Sequence, residues 1–120
     1  MNRRRLAVAA AALGIITLIG AAPAFAYQTA TLKGTGQARV YSNSTSKAKV
    51  GAWDDVSDHN PVYARYYRKA SPSTQRSLWN KAGGGTESYS GTGSSVLKAK
   101  ICESQMAQPD DCSVYVAMKY

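Results

Sequence analysis

The sequence has little of what most enzyme sites need. Its 120 residues include one histidine, one phenylalanine, two cysteines and seven acidic residues. A chain of this length forms one small domain, which excludes multi-domain enzymes. It has no Gly-x-Ser-x-Gly nucleophile elbow, and no glycine run ends in the Gly-Lys-Ser/Thr of a phosphate loop. We therefore predict no catalytic residues, no metal site and no cofactor, and we expect that the protein is not an enzyme.

The few acid–base residues concentrate in one segment. Asp54, Asp55, Asp58 and His59 could form a weak cation site or a carboxylate–histidine pair. The spacing is not that of a calcium-binding EF-hand loop, and aspartate beside proline is common in turns. We interpret this segment as a solvated loop. A small hydrolase that uses Asp58 and His59 stays open as an alternative.

The first 26 residues differ from the rest. Arg3–Arg5 precede an apolar run over Leu6–Ile19, and the segment ends in the small-x-small triplet Ala24–Ala26. This order is typical of a secretory signal peptide. We predict cleavage after Ala26, which leaves residues 27–120 as a single secreted β domain with no membrane span. Three of the 15 basic residues leave with the signal, so the net charge falls from +8 to about +5.

Both cysteines lie in the exported part. Cys102 and Cys112 allow only one pairing, and an even cysteine count in an oxidising compartment predicts a disulfide. Their spacing is not Cys-x-x-Cys, and His59 is distant in sequence, which argues against a redox or metal site. The bond would link the last two predicted strands across their loop.

Apolar residues alternate with polar ones along most of the mature chain, and no helical stripe is present. The pattern predicts an all-β fold, a small antiparallel sandwich or barrel of about six or seven strands. Ser71–Thr74 is expected to break the pattern, and Gly91–Gly93 to close a hairpin. We also expect Trp53 and Trp79 to fill the core or to anchor loops, because the mature chain has no phenylalanine. The predicted strands cover residues 38–42, 47–52, 62–68, 75–80, 86–90, 96–102 and 113–119, with residues 27–32 as an optional edge strand.

The strongest predicted strand, Val62–Arg68, has one aromatic and basic face. Tyr63, Arg65 and Tyr67 share this face, with Arg68 following, and we take these four residues as a candidate binding surface. Tyrosine and arginine recur at binding hot spots. The alternative is that one tyrosine face packs in the core while the other is ordinary solvent-facing sheet.

Four segments of the mature chain form a recognisable set: Val62–Arg68, Ser77–Lys81 with Gly83–Thr86, Cys102, and Pro109–Ser113. Together they resemble small secreted single-disulfide β domains of actinomycetes. In size, export signal and β character the chain is also similar to the secreted adaptor subunits of the umbrella toxin particles of Streptomyces. That resemblance implies a subunit that joins a lectin-like protein to a large toxin chain, and it carries over no site residues.

These observations favour a non-catalytic extracellular binding or adaptor domain, with another secreted protein as its partner. A free-standing cationic antibacterial or cell-envelope-binding protein is the first alternative, since the mature chain is basic. A secreted protease inhibitor or small hydrolase is the second. The modest charge of the mature chain argues against nucleic acid as the partner.

Overall fold

A computed structural model describes residues 26–44 and 47–119 of the chain. Within those residues the protein consists of strands, turns and loops with no helix, which confirms the predicted all-β class. The predicted signal peptide lies outside the described residues except for Ala26, the first residue of the first strand. In chain order the strands are β1 (Ala26–Leu32), β2 (Gly36–Ser44), β3 (Lys47–Asp54), β4 (Val62–Arg68), β5 (Ser71–Asn80), β6 (Thr86–Tyr89), β7 (Val96–Glu103), β8 (Asp111–Cys112) and β9 (Val116–Ala117).

The strands form two antiparallel sheets that pack against each other as a sandwich. One is four-stranded in the order β1-β2-β3-β6. The other is five-stranded, in the order β5-β4-β7-β8, and β9 also pairs with β7. The chain crosses from one sheet to the other after β3, after β5 and after β6. No helix in the described ranges is long and apolar enough to span a membrane.

The core between the sheets is built mainly from small aliphatic side chains. Every second residue of each central strand points inward, as the pleat of a strand requires. Tyr66 is the largest residue of this cluster, so the layer is thin and most aromatic rings lie outside it. The buried cluster comprises Ala30, Ala38, Val40, Ala48, Val50 and Ala52 from the four-stranded sheet, and Val62, Ala64, Tyr66, Val96, Ala99 and Ile101 from the other.

The prediction that both tryptophans serve as core or loop anchors is wrong. Trp53 follows the buried Ala52 on β3 and therefore points to the outside of the four-stranded sheet. Trp79 lies on the outer side of β5 and is 41% exposed. A core lined by alanine and valine leaves little space for an indole ring. The strand alternation therefore places both rings on outer faces.

Two predicted connections also differ from the structure. Ser71–Thr74 does not break a strand: these residues begin β5, and the chain turns before them at Lys69 and Ala70. Pro72 is tolerated because β5 is an edge strand, where a missing N–H breaks no ladder. The predicted hairpin through Gly91–Gly93 does not form, because β6 pairs with β3 while β7 pairs with β4.

The disulfide prediction is confirmed, whereas the predicted last strand is not continuous. Cys102 on β7 and Cys112 on β8 are directly opposite each other and bonded at 2.05 Å. Closing a loop of this length contributes roughly 2–3 kcal/mol in the chain-entropy model. Instead of one strand over residues 113–119, two short pairings with β7 are present. Val114, between the two pairings, is 78% exposed.

Candidate functional site

The outer face of the five-stranded sheet carries three of the four predicted binding residues. The ladder aligns Trp79, Tyr63 and Cys102 in one row, and Ser77, Arg65 and Lys100 in the next. A third row brings Tyr67 beside Lys98. We call this surface the basic face; its members are Tyr63, Arg65, Tyr67, Gln75, Ser77, Trp79, Lys81, Lys98, Lys100 and Tyr115.

One end of the basic face is an aromatic stack. Tyr63 and Trp79 lie with ring centroids 4.3 Å apart and planes inclined by 29°. Tyr63 is only 3% exposed, and its hydroxyl donates a hydrogen bond to Asp110. Burial, followed by this hydrogen bond, raises the pKa of Tyr63 above its ordinary value. Tyr63 therefore supports the surface from beneath, and Trp79 is the ring that solvent reaches.

The other end is a hydrogen-bonded tyrosine pair. The ring centroids of Tyr67 and Tyr115 are 5.8 Å apart, and the Gln75 amide donates to the Tyr115 hydroxyl at 2.8 Å. Lys98 Nζ lies 4.9 Å from the Tyr67 ring centroid and 4.7 Å from that of Tyr115. Lys100 Nζ is 4.7 Å from the Tyr115 ring. These ammonium groups rest on aromatic faces, an arrangement that stabilises a cation without neutralising it.

Arg68, the fourth predicted binding residue, does not belong to the basic face. By strand alternation it falls on the inner side of β4 with Tyr66, and it is 8% exposed. Its guanidinium donates to three backbone carbonyls, those of Ala48 at 3.1 Å, Ser94 at 2.6 Å and Gly91 at 3.0 Å. The inclusion of Arg68 in the binding surface is therefore corrected. Its charge is used inside the fold, where it joins the two sheets.

Sequence reasoning missed a second aromatic and basic surface, on the outer side of the four-stranded sheet. We call it the paired face; its members are Tyr27, Arg39, Tyr41, Lys49, Trp53, Glu87 and Tyr89. Its organising residue is Glu87, which accepts from Arg39 at 3.1 Å and from the Tyr41 hydroxyl at 2.6 Å. Burial, then the bond to Glu87, raises the pKa of Tyr41 far above its ordinary value.

The paired face depends on a glycine. Glu87 reaches Tyr41 by passing over Gly51, where an added Cβ would lie 1.9 Å from Glu87 Oε2. Arg39 also stacks on Trp53, with 4.7 Å from its guanidinium carbon to the ring centroid.

The alternation of Arg39 and Tyr41 with apolar residues is visible in the sequence. The acid that pairs with Arg39 comes from a strand 48 residues further along the chain, and no local pattern indicates it.

The Asp54–His59 segment is a loop, as predicted, with Asp58 and His59 exposed and Asp54 buried. Asp58 interacts with Glu103, at the end of β7, and with the neighbouring His59. The hydrogen bond to Asp58, together with burial, raises the pKa of Glu103 to about 7, while the same contact lowers the pKa of Asp58. These shifts favour a protonated Glu103 beside an ionised Asp58. Across residues 26–44 and 47–119, no three metal-ligating side chains converge.

Comparison with known proteins adds no assignment to this geometry. No protein-family model, no curated protein and no solved structure matches the chain.

Proposed function

We propose that the chain is a secreted, non-catalytic adaptor domain and that its basic face binds an acidic surface of another secreted protein. The observation that carries the proposal is the charge balance of that face. Arg65, Lys81, Lys98 and Lys100 all lie on it, and in the described part of the chain none of them forms an ion pair. Asp110, the nearby acid, accepts the Tyr63 hydroxyl.

The unpaired charges favour a partner over a purely structural role. A salt bridge or a buried ion pair within the fold would consume these charges, as Glu87 consumes that of Arg39 on the paired face. Cations that lie over aromatic rings without an ion-pair partner can instead attract an acidic partner from a distance. They can still form ion pairs with its acids on contact. The aromatic rings beneath these cations also restrict the lysine and arginine side chains before binding. Less side-chain freedom is therefore lost when the partner binds.

Trp79 supplies the apolar centre that a protein contact needs. Its indole is exposed and held in place by Tyr63 beneath it, with Lys81 Nζ 5.2 Å from its ring centroid. Tryptophan is among the residue types enriched at interface hot spots. The resemblance to toxin-particle adaptors extends the proposal: the partner would be a larger chain of an extracellular antibacterial complex.

The proposal is tested by capture of the partner from the producing strain's culture fluid. The wild-type protein is compared with Trp79→Ala, with Lys98→Glu/Lys100→Glu, and with Lys33→Glu as a matched surface control. We expect one protein to be retained by wild type and by the control, and to be lost with the other two variants. Capture that all variants share equally, or a monomer with no partner, would contradict the proposal. Salt-sensitive retention on an anionic envelope polymer alone would support the free-standing cationic alternative.

A second candidate function, protease inhibition, is favoured by one observation. The loop between Cys102 and Cys112 is closed by the disulfide and presents Met106, which is 91% exposed. A rigid exposed loop is the feature that a substrate-like inhibitor requires. Inhibition of a panel of secreted serine proteases, lost on Met106→Asp, would support this candidate. The absence of inhibition at micromolar concentration would exclude it for the proteases tested.

A further inference from the structure

A groove lies at one end of the paired face, near the end of β2 and the start of β3. It has a volume of about 420 Å³, near the lower end of the roughly 300–1,000 Å³ typical of small-ligand sites. Its main lining residues are Tyr41, Lys47, Ala48, Lys49, Tyr89 and Thr92. A groove of this volume suits a small ligand.

The aromatic walls of the groove are held in place. The ring centroids of Tyr41 and Tyr89 are 6.0 Å apart, and the planes are tilted by 56°. Both hydroxyls donate to Glu87, Tyr41 at 2.6 Å and Tyr89 at 3.3 Å. With the hydroxyls fixed at one end, the two rings lose little freedom when a ligand packs against them.

The groove also carries a local excess of positive charge. Lys49 Nζ lies 4.4 Å from the Tyr89 ring centroid and 5.7 Å from that of Tyr41. Glu87 is the nearby acid, and its charge is balanced by Arg39. In the ranges that the structure describes, neither Lys47 nor Lys49 forms an ion pair. An anionic group placed between these two lysines would therefore meet uncompensated charge beside an aromatic wall.

The third wall, at Ala48 and Thr92, is held in place by the buried Arg68. The Ala48 N–H donates to the Gly93 carbonyl at 2.8 Å, and the Gly93 N–H donates back to the Ala48 carbonyl at 2.9 Å. Arg68 bonds the carbonyls of Ala48, Gly91 and Ser94 from beneath. A Cβ at Gly93 would lie 2.8 Å from the Arg68 guanidinium carbon. Arg68 is thus a positioning residue that fixes the loop beside Thr92.

From these contacts we infer that the groove binds a small acidic saccharide, with a sugar ring against Tyr41 and Tyr89 and its carboxylate or phosphate between Lys47 and Lys49. The ring walls suit a ligand with a flat, partly apolar face. Lysine ammonium groups recognise such anions as point charges. The site lies on the opposite side of the sandwich from the basic face, and its argument does not depend on the proposed adaptor function.

The test is an NMR titration of the purified, isotope-labelled protein with defined probes. Digalacturonate tests the carboxylate form, glucose 6-phosphate tests the phosphate form, and cellobiose is the neutral control. We expect saturable shifts at Tyr41, Lys49, Tyr89 and Thr92 with at least one of the acidic probes, and none with cellobiose. The probe that binds more tightly identifies the anionic group.

Two exposed lysines of the same sheet give matched variants. Lys49→Gln removes a charge at the groove, whereas Lys33→Gln removes one in the β1–β2 turn at the far end. We expect Lys49→Gln to weaken binding roughly tenfold, the effect of losing one charge-assisted contact, and Lys33→Gln to leave it unchanged. Both side chains are exposed, so neither variant threatens the fold.

Four outcomes would overturn the inference. They are equal shifts with cellobiose, shifts that map to Trp79 and Tyr63, equal losses in the two lysine variants, and tighter binding of a hexaglutamate peptide than of either sugar. The last outcome would identify the groove as a site for acidic peptide. Each of these leaves the partner capture experiment on the basic face unaffected, so failure here is distinguishable from failure of the adaptor proposal.

Discussion

The two outer faces of the sandwich have similar compositions but differ in how their charges are paired. Both present tyrosines, one tryptophan and several cations on the solvent side of a sheet. On the paired face, Glu87 takes the charge of Arg39 and the hydroxyls of Tyr41 and Tyr89. On the basic face the cations lie over aromatic rings without an ion-pair partner in the described residues. One acid, passing over a glycine, thus gives the paired face an internal ion pair that the basic face, in the described part of the chain, lacks.

The largest expected effect comes from the disulfide, which lies in the same row as Tyr63 and Trp79. We expect Cys102→Ala/Cys112→Ala to lower the free energy of unfolding by about 2–3 kcal/mol. Without the bond, the unfolded chain regains the freedom of the loop. Urea denaturation measures this change. The variant should also weaken partner capture by the basic face, while acidic-sugar binding by the paired face persists. Equal loss at the two faces would contradict their independence.

The paired face is broken more locally by Gly51→Ala. The added Cβ displaces Glu87, so Arg39 and Tyr41 lose their partner. We expect a loss of about 1–3 kcal/mol in the free energy of unfolding, the cost of leaving partly buried polar groups unpaired. Denaturation of Gly91→Ala is the control, since an added Cβ at Gly91 meets nothing within 4 Å. A Gly51→Ala protein as stable as this control would show that Glu87 does not organise the face.

The carboxyl pair at the end of β7 predicts a pH dependence. In the folded protein the pKa of Glu103 is about 7, above its ordinary value of 4.5. The folded state therefore binds more protons than the unfolded state between these values. The stability from this group is complete below pH 4.5 and is lost as the pH rises through 7. The pKa of Asp58 is lowered instead, so the stability from Asp58 is lost as the pH falls below its ordinary value of 3.8.

Thermal unfolding of Glu103→Gln checks this sign. The amide can donate to Asp58 at every pH, so the variant should match wild type near pH 5. At pH 8 it should be more stable by about 1 kcal/mol. A wild-type protein that gains stability relative to Glu103→Gln between pH 5 and pH 8 would contradict the raised pKa of Glu103. Glu103 lies on β7, a strand of the basic face. We therefore expect pH to change the local stability of the basic face more than that of the paired face.

The prediction with the smallest expected effect concerns a variant that gives the paired face the charge pattern of the basic face. Glu87→Gln frees Arg39, so the paired face should begin to behave as the basic face does. We expect this variant to elute from a heparin column at higher salt than wild type, and Lys98→Gln/Lys100→Gln to elute at lower salt. Arg39→Gln should change elution least, because its charge is already compensated. Equal shifts from Arg39→Gln and the lysine pair would mean that net charge alone decides retention.

The sequence predicts the fold better than it predicts the site. Alternation over Val62–Arg68 was enough to identify β4 and to separate its two faces, and the cysteine count was enough for the disulfide. The hairpin through Gly91–Gly93 was wrong because turn glycines also serve where a chain crosses between sheets. Local composition does not distinguish the two uses, since the partner strand is chosen by packing.

The site residues that sequence reasoning missed depend on contacts between distant segments. Trp79 joins the basic face because the β4–β5 ladder places it opposite Tyr63. Glu103 pairs with Asp58, and Glu87 with Arg39, across 45 and 48 residues of chain. Arg68 is of a residue type that is common at binding sites, yet strand alternation already places it on the inner side of β4. Applying the period-2 rule to every residue of the strand would have identified it.

The most direct test of the account is hydrogen exchange measured on the protein alone and bound to its captured partner. If the basic face is the binding surface, protection will increase in β4, β5 and β7, in the segments that contain Arg65, Trp79 and Lys100. The strands β1 to β3 will exchange as in the free protein. Protection confined to the paired face, or to the loop around Met106, would contradict the central claim.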